Sequence, residues 1–157
     1  MKVFVSKNIK KNPLMRNLAV FFLVFEMLYV AGTVLMWIEE RGFSPAAVRS
    51  EYLGSENEFI EPKSLTLLLE EVHTRSFFAA ILLLAGSSIL ASTTVAHRLK
   101  IVLIYATSAG ALTYVLCGPL IRYASPVFLY VMILSFVLYY LGLFAMAALS
   151  IAHLMKR

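Results

Sequence analysis

Residues 17–38 read NLAVFFLVFEMLYVAGTVLMWI, an apolar run broken by one charge, Glu26. A bilayer's hydrocarbon core is about 30 Å thick, and a helix rising about 1.5 Å per residue needs roughly 20 apolar residues to cross it. The run meets that length. It is too long for the core of a cleavable signal peptide, and no convincing small-x-small cleavage site follows. It is therefore expected to remain as a signal-anchor helix. Three further runs have the same character, at 76–96, 101–121 and 127–154, the last long enough to tilt or protrude. No ten-residue segments of alternating hydrophobicity recur, which argues against a β-barrel. The expected fold is an all-α integral membrane protein. It is an up-down bundle of four transmembrane helices forming one domain over residues 1–157, with a helical outer loop over 39–75.

The composition agrees. The 157 residues are 61% hydrophobic and 15% charged, with a mean hydropathy of +0.82. A soluble domain is nearer 45–50% apolar and about 25% charged, so a soluble globular chain and a disordered one are both excluded. Cys117 is the one cysteine, which leaves no intrachain disulfide and no CxxC pair.

The net charge of +5 suggests nucleic acid only until the charges are placed along the chain. Lys2, Lys7, Lys10, Lys11 and Arg16 precede the first run, Arg98 and Lys100 fall between the second and third, and Lys156 and Arg157 close the chain. These nine cations share one side of a four-span protein and are accompanied by no acid. The positive-inside bias makes that side cytoplasmic, with both termini inside, in a bacterial inner membrane. The outer regions carry five cations and eight glutamates: Glu39, Glu40, Glu51, Glu56, Glu58, Glu61, Glu70 and Glu71. The basicity is an orientation signal and gives no support to nucleic acid. The Lys-rich tail suits anionic lipid instead.

Within the outer loop, Ser44-Pro45 is a helix start, continued by Ala46 to Leu53 and stopped by Gly54. Ser64 caps a second helix through Leu65, Leu67, Leu68, Leu69 and Val72, which lies at the interface or runs straight into the second span. Two short loop helices are therefore expected. The loop is more ordered than a connector needs to be, and its acidity suits a docking face for a partner or a cation site. A solvated acidic loop has the same composition.

Several constellations bear on chemistry. Glu26 lies mid-span, where a carboxylate costs several kcal/mol unless protonated or paired. Tyr29 and Thr33 share its helix face. The group is read as an intramembrane proton- or ion-handling candidate or a recognition point for another subunit. The alternative is a protonated acid bonded to Ser87, Ser88, Thr107 or Ser108. Glu70 and His73, at i and i+3, form half of a di-metal carboxylate motif whose second half is missing. His73, His97 and His153 are the haem candidates, but they fall at span ends rather than in mid-span. Small residues in the second and third spans, including Gly86, and the pair Ala106 and Gly110, predict that those two helices form the tightest packing. Gly118-Pro119 is expected to kink or end the third span. Phe136, Tyr140 and Phe144 share a face expected to touch lipid or another subunit. No phosphate loop, nucleophile elbow or metalloprotease motif is present.

Phe43-Ser44-Pro45-Ala46, Tyr52-Leu53-Gly54, and Pro62-Lys63-Ser64 with Leu68-Leu69-Glu70 and His73 resemble small four-span bacterial inner-membrane proteins of unassigned function. Gly118-Pro119-Leu120-Ile121-Arg122-Tyr123 and Ser125-Pro126 fit the same pattern, and the resemblance covers about the last three quarters of the chain. It implies architecture more than activity. It also implies histidines near the start of the second span, as for a haem or metal. Arg75 and Ser87 or Ser88 stand in those places here, which weakens a haem reading.

These observations lead to a non-catalytic membrane subunit or anchor of a larger inner-membrane complex, embedded in the lipid bilayer. It would bind protein partners, or form a homo-oligomer, through the acidic loop and the aromatic faces. The alternatives are an electron-transfer subunit holding b haem or quinone, and a small proton-coupled transporter using Glu26. No cofactor is specified by the sequence.

Overall fold

The structure, a computed structural model, describes residues 12–57 and 59–156. Lys2, Lys7, Lys10 and Lys11 of the basic tail, with Glu58 and Arg157, lie outside the described residues. The described chain folds into five helices: α1 (Pro13–Glu40), α2 (Pro45–Leu53), α3 (Leu65–Ala91), α4 (His97–Tyr123) and α5 (Phe128–Met155). All except α2 are long and apolar enough to cross a membrane. The protein is a multi-pass membrane protein with four spans.

The helix ends follow from local chemistry. Asn12 caps α1, its side chain accepting from Leu14 N at 3.1 Å, and Pro13 fills the first turn. α2 starts at Pro45, but Ser44 makes no side-chain capping bond. Pro45 has no N–H to satisfy, so the start relies on its fixed φ rather than on the hydroxyl. Gly54 stops α2 with φ of +81°, a conformation glycine adopts freely. The chain then folds back in a short bridge between Ser55 and Ile60.

Three expectations need correction. The loop holds one separate helix, not two, because the segment capped by Ser64 continues without a break into α3. No proline or glycine falls between Leu65 and Ser76, and Leu68 and Ala79 keep one buried helical face across the polar stretch, so nothing ends the helix at the interface. The second span closes at Ala91, and Ser92 to Ala96 form the turn. Pro119 neither ends α4 nor leaves 120–123 in a turn, since the helix runs on to Tyr123. A proline in the last turn removes a single backbone bond, and burial of Ile121, 1% exposed, holds that turn in place.

α5 is the central helix. Half of its apolar window is buried, against 22% for α1 and α3. Its most extensive contact is with α4, and α1 and α3 pack on this pair while barely touching each other. The tight pair is therefore α4–α5 rather than the second and third spans. Gly110 explains why: a Cβ there would lie 3.1 Å from Tyr139 N and 3.2 Å from Leu138, so the missing side chain admits α5. Phe136 and Tyr140, expected to touch lipid or another subunit, are buried within this chain at 1% and 5% exposure, while Phe144 remains exposed.

Candidate functional site

α2 lies over the end of the bundle, where α1 ends and α3 begins. Val48 and Tyr52, one turn apart, are fully buried and face inward. Tyr52 reaches down to Gly118 of α4, where a Cβ would stand 3.1 Å from its ring. The same glycine leaves room for Glu71 of α3.

Around Tyr52 stands a cluster of charges. Arg41, just past α1, grips Glu51 of α2 with two guanidinium nitrogens, Nη2 donating to Oε1 at 2.7 Å and Nε to Oε2. Lys63 bridges Glu51 and Glu71, its Nζ lying 3.3 Å from Glu71 Oε2. Glu71 accepts from Tyr52 Oη at 2.7 Å and pairs with Arg75 one turn along α3. Arg75 Nη2 also donates to Tyr52 Oη at 3.3 Å. Each cation covers an aromatic ring: Arg41 lies 4.6 Å over Trp37, Lys63 4.2 Å over Tyr52 and Arg75 4.3 Å over Tyr114.

These side chains are 15–24% exposed, between a surface pair and a buried one. Burial works against ionising Glu51, but the hydrogen bonds and charges of Arg41 and Lys63 outweigh it and hold its carboxyl below the usual value. Burial pushes the Tyr52 phenol up; Arg75 opposes that shift, while Glu71 and Glu51 add to it. Tyr52 is thus a neutral hydrogen-bond donor. Three cations meet two carboxylates, and Arg75 Nη1 and Trp37 Nε1 are buried without a hydrogen-bond partner.

Below the cluster an aromatic layer continues into the bundle. Trp37 stacks on Phe136 at 4.1 Å, Phe136 meets Tyr140 at 4.6 Å, and Tyr140 meets Tyr139 at 4.7 Å. Tyr114 joins them edge-on to Phe136 at 5.6 Å.

The sequence-derived candidates are scattered. Glu70 and His73 are exposed on α3, on a face turned away from Glu71 and Arg75. Among the described residues no group of three or more His, Cys, Asp or Glu could hold a metal ion. His97 is exposed in the first turn of α4, and His153 Nδ1 lies 3.1 Å from Thr94 Oγ1 at the end opposite α2. His73 is in the third turn of α3 on the α2 side, so the three histidines do not share a mid-span depth. Tyr29 stacks on Phe78 of α3 at 5.7 Å, and Thr33 is half-buried. Ala106 is half-buried and Gly110 fully buried against α5.

The cluster itself was missed, apart from its individual residues. A signal was present: Leu68, Glu71, Arg75, Ala79, Leu82 and Gly86 fall on one α-helical face. That face is the buried one, and it carries two charges.

Residues 42–157 match a family described as a transmembrane helical domain, Aq_1264_TM. The chain belongs to that family. The matched residues take in α2 through α5, so the family's domain includes Glu51, Tyr52, Lys63, Glu71 and Arg75. Trp37, Arg41 and Glu26 precede the matched residues. No curated protein and no solved structure matches the chain.

Proposed function

We propose that the protein is a non-catalytic membrane subunit that holds a basic protein partner at its α2 end. The observation carrying this reading is the division of charge there. Arg41, Lys63 and Arg75 are turned inward onto Glu51 and Glu71, with Arg41 also 3.6 Å from the exposed Glu40. The outer rim is left with exposed Glu39, Glu40, Glu56, Glu61 and Glu70, accompanied by one exposed cation, Arg49. An open groove of about 950 Å³ runs along α2 beside this rim, lined by Glu40, Arg49, Ser50, Ser55 and Asn57. A rigid acidic surface steers and orients a basic partner rather than performing chemistry. The positive-inside bias places this end outside a bacterial inner membrane, with both termini in the cytoplasm.

The test is purification in mild detergent, with an absorbance spectrum of the eluate. A defined partner should co-purify, dissociate as salt is raised, and be lost when the five rim glutamates are changed to glutamine. A solitary monomer, a partner indifferent to those changes, or a Soret band would each overturn the reading.

A further inference from the structure

Glu26 is the described carboxylate farthest from compensation. It is 2% exposed, and neither of its oxygens has a hydrogen-bond partner among the described residues. α3 meets it with Gly86, where a Cβ would stand 3.0 Å from Oε1 and 3.4 Å from Oε2. The carboxylate fills the space of that absent side chain. The hydroxyls the sequence offered it are spent elsewhere: Ser88 and Ser87 donate to the Leu84 carbonyl at 2.5 and 3.4 Å, and Thr107 to the Leu103 carbonyl at 2.6 Å. Helical carbonyls are occupied by their own backbone bonds. A hard metal cation takes about six or more oxygens, and this site offers the two of Glu26. A proton needs one.

The surroundings are unequal on the two sides. Toward α2, Tyr139 and Tyr140 of α5 are buried against each other at 4.7 Å, and Tyr29, one turn from Glu26 on α1, packs against the same core. Tyr114 of α4 stacks on Tyr139 at 6.4 Å and carries Arg75 over its own ring at 4.3 Å, where Arg75 is paired with Glu71. Toward the opposite end, one turn along α1, lies a separate apolar cluster of Ala19, Leu23, Ala147 and Leu154. The buried polar residues of that half are Thr93 and Thr107, whose hydroxyls are bonded to the Leu90 and Leu103 carbonyls at 2.7 and 2.6 Å, and Ser150.

We propose that Glu26 is a proton-binding site open to the α2 end alone, reached along Tyr139, Tyr140, Tyr114 and the Arg75–Glu71 pair and closed behind by the Leu23–Ala147–Leu154 plug. The proton forms one O–H bond on a Glu26 oxygen, cancels its charge, and leaves by the reverse step. No electron moves and no other bond breaks. The titratable groups facing the site are Tyr29 from α1 and Tyr139 and Tyr140 from α5, with Tyr114 from α4 behind them; α3 presents Gly86 and none. The proposal does not depend on the docking surface.

The test uses the full chain in vesicles of known orientation and a hydrophobic carbodiimide, which activates a protonated carboxyl. Modification is read by mass spectrometry of the peptide containing residue 26. Labelling at Glu26 is expected, lost in Glu26→Gln. It should fall about tenfold per pH unit above the site's own titration point when the α2 side is made alkaline, and stay constant when the opposite side is. Tyr139→Phe should slow that response. Absence of label in the folded wild-type chain, or a response to the opposite side, overturns the proposal. The wild-type sidedness decides the matter even if a variant fails to fold.

Discussion

Glu71 and Glu26 are both carboxylates on membrane-crossing helices, and their surroundings are opposite. Glu71 meets a tyrosine hydroxyl, a lysine and an arginine in the second turn of α3. Glu26 meets a glycine and, on the side away from α2, a wall of apolar side chains. The difference teaches how position in the bilayer assigns roles. Near the membrane edge a long cation can reach a carboxylate while its stem covers apolar surface, so charge becomes structural glue. In mid-span no such partner is within reach, and the carboxylate is a cost that stability alone does not explain. Removing Glu71 should therefore weaken the fold, and removing Glu26 should strengthen it.

The largest effect is expected at Glu71→Leu, which strands Arg75 in its half-buried position. Thermal unfolding in mild detergent should show a loss of about 3 kcal/mol, between the values for exposed and fully buried pairs. Adding Arg75→Met should recover much of it, since an apolar pair replaces an ionic one. If the double variant is no better than the single one, the cluster is not acting through charge compensation.

Glu26→Leu should shift stability the other way, by about 1–2 kcal/mol, because a buried group without partners disappears. A loss of stability in the same assay would mean that Glu26 has a bonding partner after all. Gly118→Ala should cost about 1 kcal/mol, as its methyl meets the Tyr52 ring at 3.1 Å. An unchanged melting temperature would show that α2 rides loosely on α4.

Acid should distinguish the two regions as well. Glu51 ionises below the ordinary carboxylate value, so its contribution is complete above that value and is lost as pH falls toward its own lower one. Melting temperatures should decline below about pH 4, with a flatter profile in Glu51→Gln. The smallest effects are expected at Glu70→Gln and His73→Gln. Both residues are exposed and bridge nothing in the cluster, and each should change stability by less than about 0.5 kcal/mol.

The four spans were legible because twenty consecutive apolar residues have few alternatives, and Gly54 and Ser64 marked the end of α2 and the start of α3 for local reasons. The packing partners were not. Small residues announce close approach but not which helix approaches, and Gly110 and Gly86 turned out to face α5 and α1. The charge cluster escaped for a related reason. Eight acids in an outer loop read as solvated until a fold shows that Glu51 and Glu71 point inward, and only the helical phase of Glu71 and Arg75 with Leu68 hinted at it. Glu26 was the reverse case. Its depth in an unbroken apolar run identified it before any neighbour was known.

Tyr52 resting on Gly118 has a bearing on how the chain is made. The members of the cluster lie between residues 41 and 75, so all of them leave the ribosome well before α4 does. Yet the seat for the tyrosine ring belongs to the end of α4, and the ring under Arg75 is Tyr114. Until that helix is inserted, three cations and two acids wait in water beside α2 with no floor beneath them. Closure of the cluster thus reports, late in biosynthesis, that the third crossing has been completed in the right direction.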